Sequence, residues 1–489
     1  MAKVGLYSQS MGLLTDLYQL TMAYGYWKSQ MEHKESVFHL FYRNIPFKGG
    51  FSIACGLENV IDFIQNFSVD ESDIVYLASL EGNDGKPLFE ENFLNYLAKM
   101  SFCCDIDAMP EGTVVFPYEP LVRVQGPLIQ CQLLETPLLN IINFQTLVAT
   151  KAARICLAAD GDPTLEFGLR RAQGVDGALT ASRAAYIGGC DATSNVLAGK
   201  IFGIPVKGTI AHSWVMAFEN ELDAFQSYAQ TLPNNCVFIV DTYSTLNGIK
   251  NAIEVGQWLE NQGYQFMGIR LDSGDLAYLS IQARQMLDKS GLPDAKIVVS
   301  NELDEVIIRS LKEQNARIDI WGIGTKLVTA YDQPALDGVY KLSTIREPGG
   351  RWINKIKISE QSVKVTTPGI QQVRRYYNEQ ENIADMIYDV NTSFNQDCVI
   401  VDPLDMTRRR KIPANTAFTD LLVPVFQQGQ RVYDIPPLTH VRANVKRELC
   451  HFHQGVRRFV NPHQYPVGIE SFLYELKTKL ILQIREKNR

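Results

Sequence analysis

The 489-residue chain lacks any run approaching the ~20 consecutive apolar residues that a helix needs to cross a bilayer. Its first residues, MAKVGLYSQS, lack the apolar stretch and small-residue cleavage site of an export signal. A soluble protein with no membrane partner is expected. Cysteine is scarce: there are nine, an odd number, with Cys103 and Cys104 adjacent and no C-x-x-C pair. That argues against a disulfide framework or a zinc ribbon and for reduced thiols in a cytoplasmic setting. Positive charge is not in excess either. Lys plus Arg number 47 against 54 Asp plus Glu, a net charge of −7, so nucleic acid is not an expected partner. Walker A, a complete G-x-G-x-x-G, H-E-x-x-H and G-x-S-x-G are all missing, which removes the simplest support for four common enzyme classes. Cys450, His451 and His453 have no fourth ligand at a workable spacing, so no protein-built metal site is expected.

What is present is an ordinary globular composition, 46% hydrophobic and 21% charged, over roughly three domain-lengths of about 150 residues. The spacing predicts a helix from Thr15, capped by that threonine, with Leu17, Leu20, Tyr24 and Trp27 on one face and Tyr18 off it. A strand at 37–43 and the turn-rich NIPFKGG follow, and the Pro- and Gly-broken stretch 111–132 reads as short strands. These place a small α/β sandwich-like domain at 1–145. Between 146 and 345 apolar runs alternate with helix-length segments: LEFG, the 204–209 stretch ending VKGT, VFIV, FMGI, KIVV, IDIW and VYKL, at least seven strands of a β/α barrel. Residues 346–489 read as irregular until an amphipathic helix at 469–489, and are expected to pack on the other two parts.

Polar groups recur where these apolar runs stop. GIGTK offers Gly324, Thr325 and Lys326 either to a phosphate or simply to a tight turn. Asp241 follows VFIV, where a carboxylate either serves a site or caps the next helix. Arg270 and Asp272 sit together in RLDSGD, a mixture suited to an anion with bound Mg²⁺ or to a solvated turn. His212 lies at a strand end, and imidazole can exchange protons or carry a phosphoryl group near neutral pH, although a lone histidine is more often structural. Arg170 and Arg171 follow LEFG, and the RRRK run at 408–411 reads as a solvated or docking surface.

The segments LLTDLYQLTMAYGYW, FYRNIPFKGGFSIACGL, FGLRRAQGVDGALTASRAAYIGGCDATSNVLAGK, GTIAHSWV, VDTYSTLNG, GIRLDSGDL, VVSNELDE and WGIGTKLVT keep their order over residues 12–330, and the chain resembles the nicotinate phosphoribosyltransferase family. The resemblance implies an irregular β/α barrel of the nicotinate/quinolinate phosphoribosyltransferase type with an α/β sandwich. It implies phosphoribosyl transfer from phosphoribosyl pyrophosphate to nicotinate, giving the mononucleotide and pyrophosphate, with ATP and Mg²⁺, in a homodimer with shared sites. Carried over, His212 is the phosphoryl acceptor and Asp241 its orienting carboxylate. Tyr18, from the partner subunit, and Phe167 sandwich the pyridine ring, Arg270 faces the nicotinate carboxylate and Asp191 lies beside the ring. Asp272 lies near the ribose and its metal, while Gly324, Thr325, Lys326, Arg170 and Arg171 meet phosphate, with Arg43 and Lys48 reaching across the dimer. The rivals are a nicotinamide or quinolinate transferase, a catalytically silent pyridine or nucleotide sensor, and an unrelated barrel enzyme acting on sugar phosphates.

Overall fold

The computed structural model describes residues 11–394 and 396–487, so the leader reading of MAKVGLYSQS and the last two positions of the helix expected at 469–489 lie outside the described residues. The chain divides into two compact units, one of residues 1–147 with 335–489 and one of residues 148–334.

The second unit is a β/α layer whose strands are β1 (Thr164–Glu166), β2 (Ala192–Thr193), β3 (Val237–Ile239), β4 (Gly268–Leu271), β5 (Lys296–Val299) and β6 (Ile320–Ile323). They run in the spatial order β2-β1-β6-β5-β4-β3, and every pairing is parallel. That order is the chain order read around a circle. The ring is joined between β1 and β6 and open between β2 and β3, where one parallel bridge, Thr193 with Val206, adds a further segment to the free edge of β2. The VKGT run therefore supplies a single bridge instead of a strand. The strands are apolar because both faces are covered: Phe238, Ile269, Val298 and Trp321 are all at most 2% exposed. Helices α1 (Gly174–Gly188), α2 (Val196–Phe202), α3 (His212–Met216), α4 (Glu221–Thr231), α5 (Thr245–Asn261), α6 (Leu276–Lys289), α7 (Glu305–Glu313) and α8 (Thr325–Val328) connect or follow them. A buried ion network ties the unit together: Lys151 lies 2.8 Å from Glu305 and 2.6 Å from Asp332, and Arg154 donates to Glu305 at 2.7 Å.

VYKL does not join this sheet. It lies in the strand Gly338–Arg346 of the other unit, antiparallel to Glu35–Tyr42, in a seven-stranded sheet that also holds Val122–Pro127, Asp105–Ala108 and Val423–Gln427. Phe38 and Tyr340 stack across that pair at 4.9 Å between ring centres. The same unit corrects three further expectations. The first helix, Leu17–Lys28, has Asp16 at its cap and not Thr15, and Leu17 stays 54% exposed while Leu20, Tyr24 and Trp27 pack with Phe89, Phe93 and Leu97. The end of the 111–132 stretch is helical over Leu128–Leu133. The region after 345 is not irregular: Gln371–Tyr377, Asn382–Asp389, Cys398–Val401, Arg409–Ile412, Ala417–Asp420 and Val467–Glu470 form a six-stranded sheet. Its strands carry buried charge, which hides their period. Arg375 and Asp385, 4% and 0% exposed, pair there, and Tyr465 donates to Asp385 at 3.0 Å.

Candidate active site

All six strands of the second unit end on one side, and their carboxyl ends carry the groups singled out from sequence. A cleft of about 130 Å³ opens there, lined by Phe167, Arg170, Arg171, Arg270, Asp272, Ser300, Asn301, Glu302, Gly322, Gly324 and Thr325. Six residues expected at the site therefore share one cavity wall with Phe167.

Phe167 follows β1, and its backbone N–H donates to the carbonyl of Ile323 at 2.8 Å. Its ring lies where a side chain on Gly322 would be: a Cβ there would meet ring carbons at 2.7 Å. Gly168 is fixed in the same way, since its Cβ would fall 2.2 Å from Val328. The glycines of FGLRR and WGIGTK thus let the aromatic ring settle on the floor of the cleft. Behind it, buried Glu166 accepts from Ser182 at 2.8 Å, from Thr193 at 2.5 Å and from the N–H of Gly168. Sequence reading passed over Glu166; a carboxylate inside an apolar strand was the signal.

His212 opens α3, with Nδ1 3.1 Å from the Thr242 hydroxyl and Nε2 3.6 Å from Asp272 Oδ2. Asp241, expected to orient this histidine, does something else. Its Oδ2 accepts from the Asp272 N–H at 3.0 Å and the Ser273 hydroxyl at 2.6 Å, while Oδ1 is buried with no hydrogen-bond partner among the described residues. The carboxylate beside the imidazole is Asp272, and Asp241 holds the loop that presents it. Burial alone would raise the Asp272 pKa, but the Ser300 hydroxyl, the Arg270 guanidinium and the neighbouring imidazole outweigh it and hold the carboxyl below its ordinary value.

Arg270 is almost fully committed. Nε donates to Ser300 Oγ at 2.9 Å, Nη1 to Thr209 Oγ1 at 2.5 Å and to the carbonyl of Ile210 at 3.3 Å, and Nη2 lies 3.3 Å from Asp272. Arg170 and Arg171, in the short 3₁₀ turn Leu169–Arg171, are exposed on the same cleft. Asn301, at the end of β5, holds a left-handed φ of 117° and caps its own turn by accepting from the Glu302 N–H.

Two other expectations fare differently. Thr325 donates to Glu302 at 3.2 Å, and Lys326 pairs at 2.5 Å with Asp304, which also caps α7 through the N–H groups of Val306 and Ile307. Burial works against the lysine's charge, yet Asp304 raises its pKa above the ordinary lysine value. Gly324 and Thr325 line the cleft, and Lys326 is held beside it by an acid that sequence reading did not single out. Asp191 is not at the cleft: it precedes β2 and accepts from the N–H of Thr164, the first residue of β1, so it marks the opposite end of the sheet. Tyr18, 48% exposed, Arg43 and Lys48 belong to the first unit.

This is an enzyme of the β/α-barrel class, with an aromatic floor, a cationic wall and a histidine–carboxylate pair at the strand ends. The chain belongs to the nicotinate phosphoribosyltransferase family. The family's N-terminal domain model matches residues 13–143, its "Nicotinate phosphoribosyltransferase (NAPRTase) family" model residues 164–381 and its C-terminal domain model residues 370–477. The nicotinate phosphoribosyltransferase of Bacillus subtilis is 43% identical over 100% of this chain and 98% of its own, and that of Caenorhabditis elegans 36% identical over 96% and 93%. The crystal structure of human nicotinic acid phosphoribosyltransferase aligns with a TM-score of 0.83 at 32% identity, covering 95% of this chain and 99% of that one.

Proposed function

We propose that this protein transfers the phosphoribosyl group of phosphoribosyl pyrophosphate to nicotinate, giving nicotinate mononucleotide and pyrophosphate, and that ATP drives the reaction through a phosphate carried transiently on His212. The observation that carries this reading is the imidazole held between Thr242 and Asp272, beside a cleft whose wall is Arg170, Arg171 and Arg270 and whose floor is Phe167.

The step forms a bond from the pyridine nitrogen to the anomeric carbon and breaks the bond to pyrophosphate, with positive charge developing on the sugar. Phe167 offers a stacking face that fixes the ring, an orientation effect that contributes several kcal/mol in well-aligned reactions. Tyr18 of a second copy is its partner face in this reading. Arg170, Arg171 and the cleft-lining backbone at Gly324 and Thr325 meet the phosphates, with Arg43 and Lys48 supplied by the other subunit. Arg270 directs positive charge at the nicotinate carboxylate.

Among the described residues no cluster of three or more His, Cys, Asp or Glu side chains is arranged to hold a metal ion by itself. In this reading Mg²⁺ comes with the pyrophosphate, and Asp272 and the buried Oδ1 of Asp241 are the carboxylates that would hold it, since Mg²⁺ in such sites takes one or two carboxylates plus substrate phosphate. Bound there, it would neutralise charge on the departing pyrophosphate. A phosphate on His212 adds a charge of about −2 beside Asp272, and the repulsion reorganises the loop that Asp241 holds.

The test is incubation with ATP followed by mass analysis for an acid-labile phosphate. Wild type is expected to carry it on His212 and His212→Ala to carry none. Equal labelling of the two proteins would refute the phosphohistidine.

A further inference from the structure

The guanidinium of Arg270 has five N–H donors. The contacts of the second unit engage Nε with Ser300, both Nη1 positions with Thr209 and the Ile210 carbonyl, and one Nη2 position with Asp272. Among the described residues one Nη2 N–H is left without a partner. The side chain is 12% exposed, so its plane is set by these partners and not by solvent.

Two of the partners are hydroxyls whose side-chain hydrogen bonds among the described residues go to this arginine and its neighbours. Ser300, 6% exposed, accepts from Arg270 and donates its own O–H to Asp272 Oδ1, so one hydroxyl at the end of β5 bridges the cation and the anion that the end of the neighbouring β4 carries. Thr209 accepts from Nη1 and turns its own O–H to the Ile210 carbonyl, three residues before His212. Neither hydroxyl belongs to the set of residues expected to touch substrate, and between them they hold the Nε and Nη1 positions of the guanidinium.

We propose that Thr209 and Ser300 are positioning residues that set which edge of Arg270 meets the pyridine substrate, and so govern the preference for an anionic ring substituent over a neutral one. Remove either hydroxyl and the guanidinium gains a donor without an acceptor; it rotates toward Asp272 or toward the ligand, and its single N–H loses its aim. The charge stays, so binding is weakened and the discrimination between carboxylate and amide is lowered together. The inference rests on the proposed nicotinate site, and its test separates the two.

Binding of nicotinate and of nicotinamide is measured by calorimetry on the full-length protein, alongside KM and kcat for mononucleotide formation, for wild type, Thr209→Val, Ser300→Ala and the conservative Thr209→Ser and Ser300→Thr. Thr209→Val and Ser300→Ala are each expected to weaken nicotinate binding about tenfold, the scale of one charge-assisted hydrogen bond, while nicotinamide binding changes less than about twofold. KM for phosphoribosyl pyrophosphate stays within about twofold, and Thr209→Ser and Ser300→Thr restore most of the preference. Unchanged nicotinate binding in both variants, or an equal loss for acid and amide, overturns the proposal. If the wild type binds nicotinate but forms no mononucleotide, the proposed function fails while the binding comparison still decides the role of the two hydroxyls.

Discussion

At the scale of single residues, the arrangement around Asp272 explains why a cluster of opposite charges can sit at a cleft without collapsing into solvent-exposed ion pairs. Ser300 bridges Arg270 and Asp272, which also pair directly, Asp241 fixes the Asp272 backbone, and His212 closes the far side. Asp304 holds Lys326 by direct pairing. Its own carboxyl is pulled below the ordinary value by Lys326 and by the Ile307 N–H despite opposition from burial. A depressed carboxyl stabilises the fold above its unfolded pKa and loses that contribution as pH falls through the folded value; the raised lysine contributes below about pH 10.5 and loses it as pH rises through its folded value. Asp304→Asn should therefore cost stability at neutral pH and little in strong acid, checked by urea unfolding at both. A loss of the same size at both pH values would show that the ion pair is not the cause. Much of this site is legible in sequence, because Arg270, Asp272 and Ser300 follow apolar runs in a βα rhythm. Partnership is not legible: neighbours in sequence, Asp241 and Thr242, divide the tasks of holding a loop and touching the histidine, and no pattern of residue types says which does which.

At the scale of elements, the glycine pair of WGIGTK shows how a βα turn becomes a binding floor. Gly322→Ala would push a methyl into the Phe167 ring, and overpacking of this kind costs about 1–3 kcal/mol. The ring is only half-buried on the open cleft, so it can yield. The expected result is a raised KM for the pyridine with a modest fall in Tm, and an unaltered KM would mean that Phe167 does not define the ring position. In the six-stranded sheet the pairing of Arg375 with Asp385 lies beside Glu119, whose own carboxyl is raised by burial and by the nearby Asp385. Arg375→Leu leaves buried acid without its cation and should destabilise by about 3–5 kcal/mol in denaturant titration; a change under about 1 kcal/mol would contradict that. These strands escape a hydrophobicity reading because QQVRRYY and NIADMIYD put charge on inward positions that only the folded partner explains. The barrel strands, apolar on both faces, were readable, though VYKL, with the same apolar character, lies in the antiparallel sheet: pattern gives a strand but not its neighbour.

At the scale of the whole molecule, the first unit exposes a set of apolar and aromatic side chains on its leading helix, Leu17, Tyr18 and Met22, that a lone subunit leaves to water. If Tyr18 completes the ring site of a second copy, mixing Tyr18→Ala with His212→Ala subunits regenerates one intact site per hybrid dimer, and activity should recover toward about one-quarter of wild type at full exchange. No recovery after demonstrated subunit exchange would rule out a shared site. Among the described residues no helix is long and apolar enough to cross a bilayer.

The most direct measurement is mononucleotide formation from nicotinate and, separately, from nicotinamide, each with phosphoribosyl pyrophosphate and Mg²⁺, with and without ATP. The account predicts product from nicotinate, more of it when ATP is present and hydrolysed, and little from nicotinamide. Product from nicotinamide in preference, or none from either, would contradict it.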